Sequence, residues 1–103
     1  MLYQLVLQFR SDSLEDLDAI VELEDSLIEQ LGQAAEVDGH DIGFGEINVF
    51  LYTSNPADTF ASIQPILARA SLLSGATVAY RRTDATEWTV VWPQHSGNTF
   101  NVA

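Results

Sequence analysis

Two runs of apolar residues at helical spacing, one over residues 14–31 and one beginning at Asn55-Pro56, are embedded in stretches whose side chains alternate with a period of two. Each change of period marks a change of element, because a helix turns one face inward every 3.6 residues and a strand every second residue. Tyr3, Leu5, Leu7 and Phe9 alternate with Gln4, Val6 and Gln8, which predicts a half-buried strand. Residues 35–53 predict two strands joined through Gly39, Gly43 and Gly45, and INVFLYT at 47–53 is the most β-favouring run. Residues 77–82 and 87–92 predict a last hairpin around Asp84. The order β-α-β-β-α-β-β predicts an α+β fold: a ferredoxin-like βαββαβ sandwich with an additional C-terminal strand and both helices on one face of an antiparallel sheet. Residues 1–93 read as a single domain, and the polar stretch 94–103 as a flexible C-terminal tail.

Local signals punctuate the helices. Ser13 suits the N-cap of the first, with Glu15 and Asp16 in its first turn, and Gly32 suits the position just past its end. Asn55 caps the second and Pro56 opens it, while Phe60, Ile63 and Leu67 form its apolar stripe. Pro65 is expected to kink or split that helix, and Gly75 to end it.

Charge bounds the function. The chain has 15 acidic residues against four arginines (Arg10, Arg69, Arg81, Arg82), no lysine, and a formal net charge of −11. Such a surface repels nucleic acid and anionic lipid and attracts basic proteins. The segment Ile42 to Val49 imitates the centre of an RNA-recognition strand motif, but Glu46 stands where a base should stack. With no cysteine, disulfides, thiolate metal sites and cysteine nucleophiles are excluded. MLYQLVLQFR lacks a basic leader, and no apolar run approaches the roughly 20 residues of a membrane span. A cytoplasmic protein without a cofactor is the expectation.

Reactive constellations are sparse. Asp38, His40, Asp41 and Glu46 offer ligands for a hard cation without a recognised spacing, so no metal site is expected. His40 and His95 are the two histidines, and no serine sits in a nucleophile elbow. On a wheel of 14–31, Leu14, Leu17, Ile20, Val21, Leu23, Leu27, Ile28 and Leu31 form one arc with Glu24 near its middle. A carboxylate there needs a partner, with Arg69, Tyr80 or a backbone donor as candidates. A lysine at 24 is therefore expected to prevent folding, and a glutamine to be tolerated.

The opposite face of that helix carries Glu15, Asp18, Glu22, Asp25 and Glu29, spaced as one acidic stripe with no internal cation. Its four consecutive like-charge pairs cost on the order of 1–2 kcal/mol together. On the sheet, alternation groups Phe50 and Tyr52 with Asn48, and Trp88 and Trp92 with Val90.

These features lead to a small binding module that docks on a basic protein partner through Glu15, Asp18, Glu22, Asp25 and Glu29. One version is an immunity-type inhibitor covering the cationic cleft of a nuclease-like toxin. Two alternatives compete. One is a small-molecule-binding domain or enzyme with Glu24, His40 and Tyr80 in a pocket between sheet and helices; the other is a structural homodimer joined through sheet faces.

Overall fold

The computed structural model describes residues 1–10, 14–43, 45–93, Phe100 and Val102, with backbone alone at 14–16. The expected Ser13 cap therefore lies outside the described residues, as do Phe44 and His95. The elements are β1 (Tyr3–Arg10), α1 (Leu14–Leu31), β2 (Glu36–Gly43), β3 (Glu46–Thr53), α2 (Pro56–Arg69), β4 (Ala76–Arg82) and β5 (Thr89–Trp92). The strands form a five-stranded sheet in the order β2-β3-β1-β4-β5. Every neighbouring pair is antiparallel.

The period-two pattern of β1 sorts the two faces. Leu5, Leu7 and Phe9 stand opposite Leu51, Val49 and Ile47 on one side and Tyr80, Val78 and Ala76 on the other. This face meets Ile20, Leu23, Leu27 and Leu31 of α1 and Ile63, Ile66 and Leu67 of α2 in one buried cluster. Burying such aliphatic side chains contributes about 1.5–3 kcal/mol each, which is what fixes the register of the sheet. Where polar groups enter this layer they are paired: the buried hydroxyls of Thr53 and Thr59 lie 2.7 Å apart.

α1 ends at Leu31 because Gly32 takes φ +54°, a left-handed conformation glycine adopts without strain, and a short 3₁₀ turn over Gly32–Ala34 leads into β2. α2 begins with Asn55 accepting a hydrogen bond from the Asp58 amide and with Pro56 at its first position. It runs through Pro65 as one helix, so of the expected kink or split, the split does not occur. Pro65 and Ala61, whose carbonyl loses its amide partner, are both exposed, so water can satisfy the freed acceptor.

The helix also stops at Arg69 rather than at Gly75. Two bonds close it: the Leu72 amide donates to the Leu67 carbonyl and the Ser71 amide to the Ala68 carbonyl. This is a Schellman termination with Ser71, at φ 60°, in the place usually held by glycine. A non-glycine residue there costs roughly 1–2 kcal/mol. Ser71→Gly should therefore raise stability by about 1 kcal/mol, read as an upward shift of the thermal midpoint. An unchanged or lower midpoint would show that Ser71 is unstrained.

Ala79 pairs with Val90 but Val78 pairs with Trp92, so β5 carries one extra residue at this bulge. Alternation is thereby broken. Trp88 and Val90 lie on the face away from the helices, whereas Trp92 packs at the helix side against Phe60 and donates its indole N–H to the Leu73 carbonyl. The expected grouping of Trp88 with Trp92 is corrected on this point.

The sheet face away from the helices is partly covered by the end of the described chain. Phe100 is 7% exposed and packs with Val6 and Ala79, joined by Phe50, Trp88, Val90 and Val102. Of the stretch 94–103, Phe100 and Val102 are described, and their apolar side chains join a second small core; residues 94–99, 101 and 103 lie outside the described residues.

Candidate functional site

α1 presents two surfaces. Its buried side is centred on Ile20, Leu23, Leu27 and Leu31, rotated toward Leu23 from the centre expected from the wheel. Consequently Val21 and Ile28 are exposed, at 42% and 57%, although the wheel places them in the apolar arc. The arc is broader than the surface the sheet can cover, and its excess falls on the flank that overlooks β2.

Glu24 lies on that flank, with 12% of its side chain exposed. Its partner is His40, not Arg69 or Tyr80: Nδ1 of His40 lies 2.7 Å from Oε1 of Glu24. A carboxylate only accepts, so Nδ1–H donates and Nε2 is turned away from the pair. His40 faces the helices because it stands opposite Val49 on β3, a residue of the main core. Position 40 could have been assigned to this side had the order of β2 and β3 been known, because Val37, His40 and Ile42 pair with core-facing Leu51, Val49 and Ile47.

The same register dissolves two sequence groupings. Asp41 stands opposite Asn48 on the other face, and Glu46 there accepts from the Gln8 amide, so His40 is separated from both by the sheet. Among the described residues no group of three His, Asp or Glu side chains is close enough to hold a metal ion. Tyr80 stands opposite Leu5 on β4, three strands across from β2, and packs edge-on against Tyr3 at 5.7 Å. The expected pocket of Glu24, His40 and Tyr80 is therefore not assembled; the first two meet and the third does not.

Lysine at 24 is accordingly less damaging than the wheel implies. Glu24→Lys loses the acceptor for the His40 N–H, yet the ammonium can reach water along the flank. The expected cost is about 1–3 kcal/mol with folding retained, against less than about 1 kcal/mol for Glu24→Gln. Urea midpoints of both variants, in a double-mutant cycle with His40→Phe, measure this. An unfolded Lys variant would return Glu24 to the core.

The outer surface of α1 bears Asp18, Glu22, Asp25 and Glu29, all exposed; Glu15 is helical in its backbone, and its side chain is outside the described residues. No arginine forms an ion pair with this row among the described residues. Arg81 is 5.2 Å over the Trp88 ring and bonds Gln4 and the Ala85 carbonyl. Arg82 grips Asp84 with two hydrogen bonds, which hold that carboxyl below its ordinary range. Arg10 ends β1. Arg69 ends α2 and lines an open groove between the helices together with Glu22, Leu23, Ser26 and Ile66.

Comparison with known proteins speaks to the fold alone. No family model and no curated protein matches the chain. Among solved structures it is similar to a de novo designed protein, Foldit4, at a TM-score of 0.57 and 14% identity, over 84% of this chain and 100% of that one. The shared architecture is a mixed α+β fold.

No helix among the described residues is long and apolar enough to cross a membrane. The surface of α1 is an acidic row bordered by exposed aliphatic side chains, and beside it runs β2, one of the two edge strands of the sheet. That pairing of charge with uncovered apolar area is the most conspicuous chemical feature of the described surface.

Proposed function

We propose that this is a binding module that docks on a basic protein through the outer surface of α1. The observation that carries the reading is the row Asp18, Glu22, Asp25 and Glu29, exposed and without an ion-pair partner among the described residues, next to exposed Val21 and Ile28. Carboxylates give rapid, salt-sensitive encounter, and adjoining aliphatic groups give lasting affinity once water is expelled. Glu15 extends the row by its spacing. An immunity-type inhibitor of a cationic toxin or nuclease is one such protein, and a reducing, cytoplasmic setting suits a chain without cysteine.

The finer fold assignment belongs to the same reading. β1 and β3 are central, β2 and β4 flank them, and β5 adds outside β4; this arrangement supports a ferredoxin-like unit extended by one strand. It carries no function by itself.

The enzyme reading draws on the Glu24–His40 pair, since a carboxylate that orients imidazole leaves Nε2 available as a base. Neither the groove between the helices nor the one beside Phe9 and Leu72 is lined by Glu24 or His40. The homodimer reading through open sheet faces loses ground because Phe100 and Val102 already cover part of that face.

The test is affinity capture from the native cell with the wild-type domain and with Asp18→Asn/Glu22→Gln/Asp25→Asn. A basic protein retained by the first and lost by the second is the expected result. Equal recovery on both would remove α1 from the interface.

A further inference from the structure

β2 has a neighbour on one side only: β3 pairs with it, and no described strand lies beyond. An uncovered edge offers backbone N–H and C=O groups to any extended chain that can approach it. The regular part of that edge is His40–Gly43, opposite Val49–Glu46, because a bulge at Val37–Gly39 interrupts the ladder before it. The two faces beside this edge differ. On the helix side lie Ile42, 50% exposed, and above it the α1 flank with Val21 and Ile28, one turn to either side of Glu24. Opposite Tyr52 and Asn48, on the other face, stand Glu36 and Asp41, both exposed. Asp38 projects from the bulge.

We infer that the edge of β2 takes an extended segment of the basic partner as an added strand, with apolar residues facing Ile42 and the α1 flank and Lys or Arg residues facing Glu36 and Asp41. Period-two alternation of the incoming strand delivers these two chemistries to opposite faces. Charge selects the occupant. Acidic residues on an edge deter pairing with an identical strand, which would set Glu36, Asp38 and Asp41 of two chains, each at −11, against one another. The same residues attract a cationic strand. This inference rests on the proposed docking through α1 and names the partner's recognised element.

The probe is a short peptide alternating valine with lysine and arginine, compared with a scrambled peptide of identical composition. Binding is followed by fluorescence anisotropy and by amide hydrogen exchange. The alternating peptide should bind at least about tenfold more tightly, and it should protect amides within His40–Gly43. Ile42→Thr and Val21→Ser, both at exposed positions, should erase most of that preference while leaving the fold intact. Equal binding of the two peptides, weakened by the α1 triple variant, would overturn the edge while leaving α1 docking in place. Binding of neither would overturn both. Sedimentation showing that the free chain self-associates through β2, abolished by Ile42→Thr, would assign the edge to a second copy instead.

Discussion

Phe100→Ala should destabilise the domain by about 2–4 kcal/mol, within or just below the usual range for deleting a packed phenylalanine. The ring is 7% exposed and sits edge-on to Trp88, with centroids 5.1 Å apart. Beneath it Val6 and Ala79 are fully buried, on a face that the helices do not reach. Removing the ring returns Val6, Ala79 and one side of Trp88 to water and forfeits the aromatic contact. Chemical denaturation should show a lower midpoint, and Trp88 fluorescence should shift to the red in the folded state. An unchanged midpoint would mean that Phe100 contributes nothing and that this sheet face is open.

Neutralising α1 should act in two opposite directions. Asp18→Asn/Glu22→Gln/Asp25→Asn removes every consecutive like-charge pair of the row, a gain of roughly 1 kcal/mol at 0.2–0.5 kcal/mol per pair, reduced by salt screening. The free domain should therefore melt higher. Binding of the basic partner should weaken, since the removed charges are those that steer and hold it. A row kept only for solubility would show the first effect without the second. The sign contrast is informative because a mutation that merely damages α1 would lower both.

Much of the fold is legible in the chain itself. Helix 14–31 is bounded by its apolar spacing and by Gly32, and the start of α2 by Asn55-Pro56, because these signals act within a single turn. What escapes such reading depends on neighbours distant in sequence. The wheel of α1 groups Val21, Ile28 and Glu24 with Ile20 and Leu27, but only the position of the sheet decides which part of so wide an arc is covered. His40 as the partner of Glu24 requires the pairing of β2 with β3. Trp92 changes face through a bulge that alternation cannot anticipate, and Phe100 lies in a polar stretch whose composition hides a single anchoring ring. Ser71 ends α2 where propensity favours glycine at 75, since a Schellman turn tolerates a left-handed serine when its two hydrogen bonds close.

The exposure of Asp18, Glu22, Asp25 and Glu29, by contrast, is legible in the sequence, because the face opposite an apolar stripe follows from the helix period alone. The role of this row rests on one measurement above others. With the captured partner in hand, the association rate constant should be recorded against ionic strength for the wild-type domain and for the triple variant. Docking through α1 requires a rate that falls steeply as salt rises for the wild type, and a slower rate with a shallower salt dependence for the variant. Identical rates and identical salt slopes for the two proteins would contradict it.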